Sequence, residues 1–78
     1  MPEIPIISAK YFLKMLLKYG CSQVGIKGSH HKIRYNLNNK VTVVPIHSNK
    51  DLKKELLPKI LKDLDIDIED FLEFMKHN

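Results

Sequence analysis

The sequence predicts an α+β domain with the element order α-β-β-β-α, followed by one further short helix. Apolar residues recur at helical spacing near the start and over the last third of the chain, whereas the middle third alternates polar and apolar residues as strands do. Turn residues separate the alternating runs, at Gly28-Ser29 and at Asn38-Asn39. We therefore expect a three-stranded antiparallel sheet that carries the helices on one face and leaves the other face open.

Length and composition limit the chain to one small domain. It has 78 residues, of which 44% are hydrophobic and 28% charged, as in ordinary globular proteins. No apolar run approaches the roughly 20 residues needed to cross a bilayer, and the first residues lack the features of a secretory signal. We expect a cytoplasmic protein without a membrane segment, whose single cysteine, Cys21, is buried and unpaired.

The helices are predicted from their caps and their apolar periodicity. Ser8 is suited to cap the first helix and Gly20 to end it, after an extended lead-in over residues 1–7. A second helix is expected around residues 56–64 with Pro58 in its first turn, and Asp67 caps a third over residues 67–76. The domain, 1–78, would thus have its α-β-β-β-α core over residues 8–64.

Three strands are expected over residues 21–26, 30–37 and 40–45. In the first strand, alternation favours Ser22, Val24 and Ile26 as the face that packs on the core. In the second, it separates two sets of side chains: His30, Lys32, Arg34 and Asn36 on one face, and His31, Ile33, Tyr35 and Leu37 on the other. A bulge at Gly28-Ser29 would exchange the two histidines between the faces.

Charge is distributed unevenly along the chain. Residues 1–50 carry eight cations and one anion, a net charge of +7, whereas residues 51–78 carry five cations and eight anions, a net charge of −3. The basic part surrounds the histidine doublet and favours an anionic partner there.

His30 is the leading candidate for chemistry because imidazole titrates near neutrality and can both take and return a proton. RNA cleavage requires such proton transfer, and Lys32 and Arg34 would neutralise the phosphate. His47 follows the third strand, whose end lies near the start of the second in an antiparallel sheet, so it is a possible accessory group. The sequence has no Gly-rich phosphate loop, H-E-x-x-H motif or paired cysteines, and we expect no metal or cofactor.

Several motifs resemble those of HicA-type toxins from toxin–antitoxin systems. The similarity covers roughly residues 8–71 and is carried by a lysine-bearing helix ending in Gly and by three further segments: Lys27-Gly28-Ser29-His30-His31, Val43-Val44-Pro45-Ile46-His47 and Leu57-Pro58-Lys59-Ile60-Leu61-Lys62. The resemblance implies a fold like that of double-stranded-RNA-binding domains. It also implies a metal-independent endoribonuclease that cleaves mRNA and is silenced by a HicB-type antitoxin.

In this family the catalytic histidine lies in the G-S-H motif, which falls on His30, and some members carry it one place later, which keeps His31 as the alternative. The remaining RNA-binding candidates adjoin this motif: Lys27, Gly28, Ser29, Lys32 and Arg34. Two other functions remain as alternative hypotheses: a non-catalytic RNA-binding module, and a protein-interaction domain that uses the same basic sheet face.

Overall fold

The structure is a computed structural model that describes residues 3–48 and 50–78. Its elements follow the predicted order: α1 (Ala9–Tyr19), β1 (Cys21–Lys27), β2 (His30–Tyr35), β3 (Val41–Pro45), α2 (Leu56–Asp63) and α3 (Ile68–Lys76). The predicted fold class is confirmed, since the α-β-β-β-α order and the antiparallel sheet are those of a double-stranded-RNA-binding-domain-like fold. Met1 and Pro2 of the predicted lead-in and Asn49 after the third strand lie outside the described residues.

Both caps of α1 are those predicted. The Ser8 hydroxyl accepts a hydrogen bond from the backbone N–H of Tyr11 at 3.0 Å, which satisfies one of the free donors at the helix start. At the other end, Gly20 has φ 128° and donates its N–H to the carbonyl of Leu16. This backbone conformation strains any residue with a Cβ, and Gly20 therefore ends the helix sharply and turns the chain into β1.

The three strands form one antiparallel sheet in the order β1-β2-β3, so β2 is the central strand. Gly28, with φ 61°, and Ser29 form the two-residue turn between β1 and β2. Asn39 has φ 63° in the turn before β3, the left-handed conformation that asparagine tolerates and that the sequence predicted there. The tight first turn places the start of β2 directly beside the end of β1.

The predicted core face of β1 is wrong. Cys21 is buried, whereas Val24 and Ile26 are 44% and 59% exposed. The register with β2 shifts between Gln23 and Gly25, which is a β-bulge at Val24 that reverses the alternation of the rest of the strand. Ile26 lies opposite His31, on the face that carries the helices, but no residue of β1 after Cys21 is buried.

The helices cover one face of the sheet, and α3 is part of the same core. Ile33 and Val44 from the sheet meet apolar side chains of α1 and α2, all of them almost fully buried. Phe71 of α3 is completely buried and contacts the rings of Phe12 and Tyr19 at centroid distances of 5.6 and 5.3 Å. The additional helix is thus packed into the domain and begins as predicted, with the Asp67 carboxylate accepting from the N–H of Asp70 at 3.0 Å.

Candidate nucleic-acid site

The two histidines of the doublet lie on opposite faces of the sheet. His30 pairs with Lys27 on β1 and with Pro45 on β3, whereas His31 pairs with Ile26 and Val44. Because directly opposed residues share a face, His30 belongs to the open face and His31 to the face that the helices cover. The Gly28-Ser29 turn contains no bulge that exchanges them, so the predicted separation is confirmed.

The open face carries His30 together with three cations. His30, Lys27 and Lys32 are exposed, and Arg34 is half-buried. The guanidinium of Arg34 donates from Nε and Nη2 to Oδ1 of Asn36 at 3.3 and 3.2 Å, which fixes its orientation along the sheet. No side chain within residues 3–48 and 50–78 hydrogen-bonds the His30 ring, so this imidazole is presented to solvent without an orienting partner.

Apolar side chains interrupt the charges of the open face. Val41 and Val43 of the edge strand β3 are 46% and 47% exposed and pair with Arg34 and Lys32 across the sheet. The open face is therefore of mixed basic and apolar character.

His31 instead lies in a groove between β2 and α1. The groove has a volume of about 520 Å³ and is lined by Lys10, Leu13, Lys14, Leu17, Lys18, His31 and Ile46. Three lysines from one helix therefore line a groove together with a histidine from the sheet. Sequence reasoning assigned these lysines only to the polar side of α1. The four-residue spacing of the lysines shows that they share one side of α1. It does not show that this side lies next to β2.

The ring of His31 is oriented by a residue that the sequence did not single out. Nδ1 of His31 lies 2.9 Å from Oε1 of Gln23, which precedes the bulge in β1. An amide oxygen accepts hydrogen bonds, so this contact suits the neutral tautomer that has its proton on Nδ1 and its lone pair on Nε2. A half-buried imidazole whose ring is oriented by a hydrogen bond, beside lysines, is equipped to accept a proton from a bound substrate.

His47 follows the end of the third strand, at the same end of the sheet as the doublet. The N–H of Ile46 donates to the carbonyl of Ser29 at 2.8 Å, which brings the chain after β3 alongside the turn, as predicted. His47 is exposed, and Gly28 has open space where a side chain would start. The turn therefore offers exposed backbone and one further imidazole to a ligand bound at this end of the sheet.

Two further side chains with shifted pKa values, Cys21 and Asp63, have structural roles. Burial raises the pKa of the Cys21 thiol to about 11, so it remains protonated and unreactive near neutrality. Hydrogen bonds from Lys59 and Thr42 lower the pKa of the Asp63 carboxyl. Within the described part of the chain, no three His, Cys, Asp or Glu side chains gather as a metal site would require.

The fold and this basic histidine site together define a small α+β protein of the double-stranded-RNA-binding-domain type. A family profile described as HicA toxin of bacterial toxin–antitoxin systems matches residues 9–66. This match covers most of the chain, and the chain therefore belongs to the HicA toxin family, which confirms the resemblance found in the sequence. Comparisons with curated proteins and with solved structures gave no significant match. None of the helices in the described residues is long and apolar enough to traverse a bilayer.

Proposed function

We propose that this toxin is an endoribonuclease that cleaves mRNA without a metal ion, using one histidine of the doublet as its acid–base group. The observation that carries the proposal is the hydrogen bond between His31 and Gln23 within a groove that lysines line. Membership of a toxin family supports a harmful activity, and an oriented imidazole beside cations supports phosphodiester cleavage as that activity.

The reaction fits internal transesterification of RNA. Nε2 of His31 takes the proton of a ribose 2′-OH, whose oxygen attacks the adjacent phosphorus. The bond from phosphorus to the 5′-oxygen of the next nucleotide breaks, leaving a 2′,3′-cyclic phosphate. The imidazolium then returns the proton to the departing 5′-oxygen, and neighbouring cations stabilise the charge that develops on the phosphate. One positioned acid–base group accelerates such a reaction by about 10²–10⁴-fold, which suits a slow enzyme with an abundant substrate.

The geometry favours His31 over His30, the residue that the sequence favoured. His31 has an orienting hydrogen bond and lines the groove, whereas no side chain of the described residues hydrogen-bonds the His30 ring. His30 remains the alternative, with Lys27, Lys32 and Arg34 as its phosphate contacts, and His47 and the Gly28-Ser29 turn would contact RNA at the end that both faces share.

Two matched variants test the proposal, His31→Ala and His30→Ala, each assayed for cleavage of mRNA in the presence of EDTA. Circular dichroism checks that both fold. We expect His31→Ala to reduce cleavage at least 10²-fold and to relieve growth arrest, while His30→Ala retains most of the activity. Loss in His30→Ala alone would move catalysis to the open face. Intact RNA with the unaltered protein at high concentration would contradict the nuclease and favour simple RNA binding.

The same site suggests how the toxin is silenced. A HicB-type antitoxin would inhibit it by covering the groove around His31, since occlusion requires no change in the toxin fold. Such a complex in the cytoplasm, where the mRNA substrate is found, would be expected to lose RNA cleavage in proportion to the antitoxin added. Cleavage that persists in the purified complex would contradict this part of the proposal.

A further inference from the structure

We infer that the groove between α1 and β2 binds a single RNA strand, with successive phosphates on Lys10, Lys14 and Lys18 and the phosphodiester to be cleaved next to His31. This inference rests on the proposed function and deepens it, because it specifies the form of the RNA and its path across the protein.

The spacing of Lys10, Lys14 and Lys18 along α1 is similar to the spacing of phosphates along a nucleic-acid strand. A step of four residues along a helix advances about 6 Å, which is comparable with the distance between neighbouring phosphates of one nucleic-acid strand. All three side chains line the same groove as His31. The lysine–carboxylate ion pairs within residues 3–48 and 50–78 involve Lys40, Lys59 and Lys76 instead. Within the described residues, the three lysines that line the groove thus have no carboxylate partner.

This arrangement is unfavourable for the isolated helix. Like charges at positions i and i+4 repel each other on a helix surface, and Lys14 takes part in two such pairs, with Lys10 and with Lys18. A bound anionic strand removes the repulsion, so binding of the ligand and stability of the helix are coupled. A polar but uncharged side chain at these positions would suit the fold better without a ligand.

The floor of the groove favours one strand over a duplex. Leu13, Leu17 and Ile46 offer apolar contacts to ribose and base edges, and no Phe, Tyr or Trp ring lines the groove. Because the His31 imidazole offers only a small ring for stacking, the affinity depends mainly on charge, and the preference for particular bases is weak. Attack by a 2′-OH on its own phosphate also requires the nucleotide to leave helical geometry, which a single strand does readily and a duplex does not.

Binding of a short oligodeoxynucleotide tests the path separately from the chemistry, because this probe lacks the 2′-OH and cannot be cleaved. Affinity is measured over a range of salt concentrations. Three phosphate contacts on a single strand predict that log K falls with log salt with a slope of about −2. Lys10→Gln, Lys14→Gln and Lys18→Gln should each flatten the slope by about 0.7, while Lys62→Gln on the exposed side of α2 should not change it.

Two results would overturn the inference. In the first, Lys32→Gln and Arg34→Gln flatten the slope and the α1 variants do not, which assigns the strand to the open face. In the second, duplex RNA competes as well as single-stranded RNA of the same length. Binding that depends on the α1 lysines in a protein without nuclease activity would support this path while contradicting the proposed function.

Discussion

The amide oxygen of Gln23 and Nδ1 of His31 are 2.9 Å apart, and this contact ties the edge strand β1 to the imidazole in the groove. Gln23 is the last residue of β1 before the bulge, opposite Ile33 in the ladder and diagonal to His31. Side chains in this diagonal relationship are within reach when one of them is long. Gln23 is thus a positioning residue for the proposed general base.

Gln23→Leu should lower kcat and leave KM nearly unchanged. The substitution removes one neutral hydrogen bond worth about 1 kcal/mol, which corresponds to about fivefold in rate if the bond orients the reacting imidazole. Gln23→Glu keeps an acceptor at the same place and should restore most of kcat. Steady-state kinetics on RNA measure both values. An increase of KM alone would mean that Gln23 contacts the substrate and does not orient His31.

Lys14→Gln should stabilise the fold while it weakens binding to nucleic acid. Its removal abolishes both like-charge pairs of α1, each worth about 0.2–0.5 kcal/mol, so the free energy of unfolding should rise by about 0.4–1 kcal/mol at low salt. Lys10→Gln removes a single pair and should give about half of the gain. Urea denaturation at two ionic strengths checks this, because high salt should cancel the difference. A loss of stability in Lys14→Gln would show that the lysine stem packs on the helix and matters more than its charge.

Asp63 should make the fold sensitive to acid. Its carboxylate accepts hydrogen bonds from Lys59 and from the Thr42 hydroxyl at 3.1 and 2.9 Å, and these bonds lower its pKa. A lowered folded pKa contributes stability that is complete above the unfolded value, about 3.9, and is lost as pH falls through the folded pKa. Asp63→Asn should flatten the decline of unfolding free energy below about pH 4. Identical acid profiles for wild type and Asp63→Asn would refute this role.

Phe71→Ala should destabilise the whole domain, although this residue lies outside the segment that matches the family. Phe71 is fully buried between α3 and α1, and truncation of a buried phenylalanine costs about 3–5 kcal/mol. The half-buried Phe74 on the same helix provides the control and should cost less. Chemical denaturation followed by circular dichroism measures both. A cost below 1 kcal/mol for Phe71→Ala would mean that α3 is only loosely attached.

Local chemistry made most of the fold predictable from the sequence. Ser8, Gly20, Asn39 and Asp67 each take the capping or turn conformation that their side chain, or its absence, favours. These features depend on a few neighbouring residues, and a single sequence contains them. The separation of the histidine doublet was predictable for the same reason, since it follows from the alternation of one uninterrupted strand.

The candidate site was less predictable because its parts come from different elements. The bulge at Val24 was overlooked although Gly25 beside it is a residue that often marks one, and strict alternation therefore placed Val24 on the same face as Ile26. That Lys14 and His31 line one groove depends on how α1 crosses the sheet, which is decided by the packing of the whole core. Gln23 was overlooked because its role appears only once the register of β1 on β2 is known.

The bulge also gives β1 an unusual tolerance to a change of length. Val24 is the unpaired extra residue, while Gln23 and Gly25 on either side of it keep consecutive partners on β2. Deletion of Val24 would leave a regular strand in which Ile26 and Lys27 remain on the sheet faces that they occupy now. Deletion of a residue between the bulge and the β1–β2 turn would instead shift the alternation of the strand end. The Lys27 side chain would then lie on the opposite face of the sheet.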